Sequence, residues 1–241
     1  MAAIMAQGLT KKFKEKTAVD GINLRIEEGE LFALLGTNGA GKTTTIKMLS
    51  TLILPTAGEI EILGLDMKKD RQKIKELLNV SPQETAIAPN LSVKENLEFM
   101  AGVYQIPAKE EKIAELTELF RLEEVLKQKA KTLSGGWQRK VSIALALINE
   151  PKILFLDEPT LGLDVIARKE LWAVIEKLKG TITVILTTHY MEEAESLSDR
   201  IGIMANGKLA EVGTAEELMK RAGTHSFEDA FVKIATGGEV R

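Results

Sequence analysis

Leu31-Phe32-Ala33-Leu34-Leu35-Gly36-Thr37-Asn38-Gly39-Ala40-Gly41-Lys42-Thr43-Thr44 is an apolar run that breaks into a glycine-rich loop and ends on a lysine and two threonines. Leu31 to Leu35 is short and unbroken, as a buried parallel strand is, and the residues after Lys42 read as a helix. The loop has the spacing G-x-x-x-x-G-K-[ST] in the strand–loop–helix setting that this spacing requires. Its glycines let backbone N–H groups converge on phosphate oxygens, and the N-terminus of the following helix adds partial positive charge. On this reading Lys42 sits on the β- and γ-phosphates of a nucleotide, and the Thr43 hydroxyl ligates Mg²⁺. A chain of this length shows the string by accident about one time in a hundred, and the flanking strand and helix make accident rarer still.

A second apolar run, Ile153-Leu154-Phe155-Leu156, ends on two carboxylates, Asp157 and Glu158. In a parallel sheet, ligand chemistry gathers at the carboxyl ends of strands. There Asp157 can hold Mg²⁺ through water, and Glu158 can accept a proton from an attacking water. The helix expected from Val165 to Lys179 carries Leu171, Val174, Ile175 and Leu178 on one face, with Gly180 in the C-terminal cap position. Ile182 to Thr187 is the next strand, and strand–helix–strand at this spacing predicts an α/β sheet with helical crossovers. Further strand-like runs lie near Thr17 to Ile26 and Gly58 to Leu63.

The middle of the chain differs. From Glu84 to about Asn149 the pattern is almost all helical, with a Ser92/Glu95 capping box ahead of Asn96 to Tyr104. Pro107 is expected in the first turn of the next helix, whose apolar face is Ile113, Leu116 and Phe120. Leu133-Ser134-Gly135-Gly136-Trp137-Gln138-Arg139 then precedes a helix with Val141, Ala144, Leu145 and Ile148 on one face. Ser134, Gly135 and Gly136 offer a hydroxyl and bare N–H groups at a helix start, which makes a second anion site or, more plainly, a serine cap. After Ile201 the sequence predicts a hairpin across Asn206-Gly207, a short helix and a polar tail, in which His225 has no assigned role.

Composition bounds what these motifs can serve. The chain has 241 residues, 44% hydrophobic and 28% charged, which suits one domain with an inserted subdomain. It has no cysteine, so disulfides, thiol nucleophiles and thiolate metal sites are excluded, and its net charge of -3 supplies no basic field for nucleic acid or anionic lipid. No apolar run approaches the ~20 residues of a spanning helix, and Met1 to Gly8 does not read as a signal peptide. Any service to a membrane is therefore expected to run through a partner.

The motifs, taken in order, resemble the nucleotide-binding domain of the ATP-binding cassette family, and the resemblance covers essentially the whole chain. Gly36 to Thr44 (Gly36, Thr37, Asn38, Gly39, Ala40, Gly41, Lys42, Thr43 and Thr44) matches the Walker A loop, Ile153 to Glu158 matches Walker B with its catalytic glutamate, and Leu133 to Trp137 matches the family signature. The resemblance implies roles for four more positions. Gln83 falls at the Q-loop glutamine that meets Mg²⁺ and the attacking water. Asp164 closes the D-loop Leu161-Gly162-Leu163-Asp164, His189 matches the switch histidine at the γ-phosphate, and Phe13 lies where an aromatic stacks on adenine. Trp137 in place of the usual signature glutamine, and Leu161 in place of a common D-loop serine, depart from the pattern.

The implied fold is an α/β phosphate-loop NTPase (RecA-like) core with a mainly parallel sheet and an N-terminal antiparallel β subdomain. Residues 1–83 and 150–241 would form this core, and 84–149 an inserted helical subdomain carrying the signature. Two chains, alike or different, would pair head to tail, each MgATP lying between Walker A of one and Ser134, Gly135 and Gly136 of the other. The resemblance is nearest to the ABC-2 type, drug-resistance exporter subgroup. It implies a cytoplasmic ATPase at the inner face of the cell membrane, touching the membrane only through a separate transmembrane permease, with no nucleic-acid partner. The competing readings are a soluble cassette ATPase of translation, repair or iron–sulfur assembly, and a non-hydrolysing switch. The second predicts loss of Glu158 or His189, and both are present.

Overall fold

Alternation along the buried strands organises the molecule, because successive side chains of a strand face opposite sides of its sheet. A computed structural model describes residues 1–238. Strands β1 (Ala2–Phe13) and β2 (Lys16–Glu27) pair antiparallel, and β3 (Leu31–Gly36) runs into helix α1 (Lys42–Leu49). Next come β4 (Ala57–Ile62), β5 (Leu65–Asp66), α2 (Arg71–Leu77) and β6 (Leu78–Ser81). Helices α3 (Val93–Val103), α4 (Lys109–Phe120) and α5 (Gly135–Ala146) fill the middle. The chain then alternates through β7 (Ile153–Asp157), α6 (Val165–Leu178), β8 (Thr183–Thr188) and α7 (Met191–Leu197). It finishes with β9 (Arg200–Ala205), β10 (Lys208–Gly213), α8 (Ala215–Ala222) and α9 (Phe227–Ala235).

Two sheets result. One has the order β2-β1-β4-β5 and is antiparallel; the other has the order β10-β9-β3-β8-β7-β6 and is parallel except for its β9–β10 hairpin edge. Every residue of β3, β7 and β8 is buried, as expected of strands covered on both faces. Leu31, Ala33, Leu35, Leu154, Leu156, Val184 and Leu186 face one core, which the helices α3 to α6 close. Phe32, Leu34, Ile153, Phe155 and Ile185 face the other, closed by α1 and the antiparallel sheet. The central sheet is thus the shared wall of two cores.

Four local expectations change. β1 does not stand out in the sequence, because Gly8 and a polar second half interrupt its apolar alternation. Pro107 ends one helix instead of opening the next: Tyr104 caps α3, Gln105 takes a left-handed φ of 54°, and Ile106 N–H closes on the Ala101 carbonyl at 2.9 Å. A proline just past such a cap blocks further helix, and α4 starts only at Lys109. Residues 84–91 form an irregular loop instead of helix; the Asn96 amide pins it, accepting from Ala88 N–H at 2.8 Å and donating to Ala88 O at 3.1 Å. The polar tail contains α9, whose Phe227 and Ala230 are buried against the helical core. The hairpin at Asn206-Gly207 stands as expected, both residues at positive φ.

Ser92 and Ser134, which both stand at helix starts, behave differently. Ser92 completes a capping box, its Oγ accepting from Glu95 N–H at 3.2 Å while Glu95 Oε2 accepts from Ser92 N–H at 2.7 Å. Ser134 stands at the cap of α5 with no cap bond from its side chain. Ser92→Ala is therefore expected to cost about 1 kcal/mol, read as a lower urea midpoint at unchanged slope. Ser134→Ala is expected to stay within about 0.5 kcal/mol. Equal losses would mean that Ser134 is a cap like any other.

Candidate active site

Parallel register brings the chemistry to one rim. Leu35 pairs with Thr188 across β3–β8, and Asp157 pairs with Thr187 across β7–β8, so the loops after all three strands open on the same side. A cavity of about 800 Å³ lies there, lined by Asn38 to Thr44, Gln83, Glu158, Leu161 and His189. The volume lies within the range of small-ligand sites.

Two glycines of the phosphate loop leave no room for a side chain: a Cβ at Gly36 would lie 2.5 Å from the Met204 carbonyl oxygen. Gly41 has φ 103°, and a Cβ there would lie 2.6 Å from the Ala18 carbonyl oxygen, so any side chain would push the loop off β2. The Asn206-Gly207 hairpin buttresses the same loop, Gly207 N–H donating to Ala40 O at 3.1 Å. Lys42 is 4% exposed, and its Nζ donates to the carbonyls of Gly36 at 2.8 Å and Thr37 at 3.2 Å. The ammonium is held inside the loop's own curl, directed at the position where phosphate charge would lie.

Glu158 stands over it. Its Oε1 is 3.5 Å from Lys42 Nζ, and its Oε2 is 3.6 Å from His189 Nδ1. Its backbone adopts a left-handed φ of 48°, uncommon for a non-glycine residue, and its N–H donates to Thr187 Oγ1 at 3.0 Å. His189 Nδ1 is buried without a hydrogen-bond partner among the described residues. Below them, Asp157 Oδ1 accepts from Thr43 Oγ1 at 3.2 Å and from Thr187 Oγ1 at 2.6 Å. The Thr43 hydroxyl and Gln83 on the cavity wall, with the Asp157 carboxylate in contact with Thr43 behind it, are hard oxygen donors of the kind Mg²⁺ takes beside substrate phosphates.

The remaining expected positions are not brought to this cavity within one chain. Ser134 and Gly135 are exposed at the start of α5, away from the lining. Asp164 caps α6, its Oδ1 accepting from the N–H groups of Ile166 and Ala167, both at 2.9 Å. Phe13 is 49% exposed at the end of β1, its ring 5.2 Å from Lys11 Nζ, and does not line the cavity wall. Lys16, Thr17 and Ala18 do line it, and no sequence pattern had marked them.

Two buried charges were also missed. Glu193, fully buried, accepts from Thr160 Oγ1 at 2.8 Å and Trp172 Nε1 at 3.0 Å, and burial pushes its carboxyl above the usual range. Arg139 is 4% exposed, and burial, opposed by the nearby carboxylates of Asp157, Glu193 and Glu158, lowers its guanidinium to about 10. A signal for Arg139 existed. It stands at i relative to Ile143 and Ala146 at i+4 and i+7, both buried, so an arginine heads an inward-facing row.

The comparisons with known proteins concern the family and the fold. The chain is 40% identical over 240 residues to the probable multidrug ABC transporter ATP-binding protein YbhF of Escherichia coli K12, covering 96% of this chain and 41% of that one. It is 39% identical over 238 residues to the linearmycin resistance ATP-binding protein LnrL of Bacillus subtilis, covering 98% of this chain and 75% of that one. The chain thus spans less than half the length of the first relative and about three quarters of the second. Among solved structures, the ATP-binding cassette MJ0796, seen as a dimer in a post-hydrolysis state with ADP and Pi, superposes with a TM-score of 0.78 at 27% identity, covering 88% of this chain and 98% of that one. The family model described as ABC transporter matches residues 19–161, which hold the phosphate loop, the signature and Glu158, and the chain belongs to the ABC transporter family.

Proposed function

We propose that the chain binds MgATP in the phosphate-loop cavity and hydrolyses it to ADP and phosphate, as the ATP-binding subunit of a membrane transporter. The observation that carries this reading is the constellation of Lys42, Glu158 and His189 within 3.6 Å contacts at the mouth of a strand–loop–helix phosphate cradle. Lys42 would leave the loop carbonyls for the β- and γ-phosphate oxygens, an exchange of neutral acceptors for charged ones. Glu158, freed from the lysine by that move, would take the proton of a water attacking the γ-phosphorus as the bond to the bridging oxygen breaks. His189 and Gln83 would hold the γ-phosphate and the water in line, and Phe13 would cover the adenine. Thr43, Asp157 and Gln83 would hold the Mg²⁺, which supplies charge neutralisation between the β- and γ-phosphates.

The separation of Ser134, Gly135 and Gly136 from the cavity supports a two-chain site. A hydroxyl that caps nothing, on a helix start with no acidic residue in its first turn, suits an anion brought by another molecule. Head-to-tail pairing with a second cassette, identical or not, would place these groups and Asp164 at the partner's γ-phosphate. Loss of that phosphate would then open the pair. We take residues 84–149 as the inserted helical subdomain that carries the signature between the two parts of the core, 1–83 and 150–241. Among the described residues no helix is long and apolar enough to cross a membrane. The membrane path would belong to a separate permease, and the subunit would sit peripherally at the cytoplasmic face. The names of its relatives, a probable multidrug transporter protein and a linearmycin resistance protein, favour export of the drug-resistance type.

Glu158→Gln is expected to bind ATP within about threefold of wild type and to lose turnover by about 10²–10³-fold, measured as phosphate release under saturating nucleotide. Normal turnover would show that another group activates the water. Ser134→Arg is expected to keep nucleotide affinity in the monomer and to abolish the ATP-induced dimer of the Glu158→Gln background, seen by light scattering on a sizing column. A dimer that survives Ser134→Arg rejects the two-chain site. Recovery of the tagged chain from solubilised native membranes should bring a stoichiometric partner with several spanning helices, and recovery solely with ribosomes or nucleic acid would remove the transport role.

A further inference from the structure

Arg139 is a buried cation that pairs with backbone, not with carboxylate. Its Nε donates to Pro159 O at 2.8 Å and its Nη2 to Asp157 O at 2.6 Å, while Nη1 donates to Pro82 O and, at 3.2 Å, to Gln83 O. Among the described residues it makes no ion pair. Burying a guanidinium with no carboxylate in direct contact is costly, and a packed apolar helix face has no need of one. What distinguishes the acceptors is their position. Asp157 O and Pro159 O flank Glu158 on both sides, and Glu158 is the residue held at a left-handed φ of 48°. Pro82 O and Gln83 O belong to the segment that carries Gln83 into the same cavity.

The planar fork of an arginine fixes several acceptors in one geometry, which neither a lysine nor an amide does. We propose that Arg139 is a positioning residue for hydrolysis: its guanidinium clamps the carbonyls on both sides of Glu158 to those of the Gln83 segment, and so sets where the carboxylate and the amide stand relative to the γ-phosphate. This rests on the reading that Glu158 activates the water. A left-handed, non-glycine backbone persists only where its surroundings over-determine it, and here Glu158 N–H donates to both the carbonyl and the Oγ1 of Thr187, while Arg139 donates to the carbonyls of the residues before and after Glu158. Releasing the second pair lets the turn relax. The carboxylate then moves by an amount that matters, since an error of about 1 Å in a reacting group can cost 10²-fold in rate.

The test is a double-mutant cycle on the full chain with wild type, Arg139→Met, Glu158→Gln and the double variant. Turnover is normalised to sites titrated with a fluorescent ATP analogue, and MgATP affinity is measured by displacement of that analogue. Arg139→Met is expected to lose kcat by about 30–100-fold, with ATP affinity within about threefold. The double variant should be no slower than Glu158→Gln alone by more than about threefold, because the effects then run through one group. Arg139→Lys keeps a buried cation without the fork, carries the same cycle should the methionine variant fail to fold, and is expected to lose about tenfold in kcat. Wild-type kcat per titrated site in Arg139→Lys, or losses that multiply in the double variant, overturn the positioning role while leaving Glu158 as the base. A Glu158→Gln protein with full turnover is a different signature: it removes the base assignment, and the positioning claim with it.

Discussion

Asp157 Oδ1 accepts hydrogen bonds from two hydroxyls that come from different parts of the chain, Thr43 at the head of α1 and Thr187 near the end of β8. Strand β7 reaches that point buried along its whole length, so the carboxylate has no water to retreat into. Its location is fixed by sheet register: a shift of one residue in β7 would turn Asp157 to the opposite face and break both bonds. The nucleotide cavity, the left-handed turn at Glu158 and the packing of α1 on the sheet all depend on that register being held. The cores on the two faces hold it, because the same shift would exchange Leu154 and Leu156 with Ile153 and Phe155 between them.

The buried cations of the molecule are each held by dipoles or an opposite charge of the protein. Lys42 rests on two loop carbonyls and close to Glu158, contacts that phosphate oxygens can replace. Lys140 is neutralised by Glu170 at 2.7 Å and lies 4.5 Å from the Trp137 ring. Arg139 alone spends its donors on carbonyls from two separate segments. That is why its place in the fold reads as geometry and not as charge storage.

What the sequence disclosed, it disclosed where a local rule is strict. The phosphate loop is legible because only glycine fits beneath Ala18 O at Gly41, and β3, β7 and β8 because a doubly covered strand must be apolar throughout. Where several local patterns compete, the reading failed. β1 holds the antiparallel sheet together through its pairing with both β2 and β4, yet Gly8 and the run Thr10-Lys11-Lys12 disguise it. Pro107 suits either the end of one helix or the start of the next, and the decision lay with Gln105, whose left-handed turn no propensity rule assigns to glutamine. Arg139 was overlooked for another reason. Arginine is so often a surface residue that its place in an inward row carries information only once the row itself is known.

The same distinction explains the two departures from the family pattern. Trp137 is partly buried against the helical core, with Lys140 over its ring, so the indole takes a packing and cation–π role. Nothing in that arrangement disturbs the helix start. Leu161 is different: it is 41% exposed and lines the cavity. An apolar side chain there cannot donate a hydrogen bond, but it can exclude water from Glu158, whose carbonyl accepts from Leu161 N–H at 3.2 Å. Leu161 therefore gives up whatever hydroxyl contact a serine would make across a paired chain and keeps the backbone bond that closes the turn at Glu158.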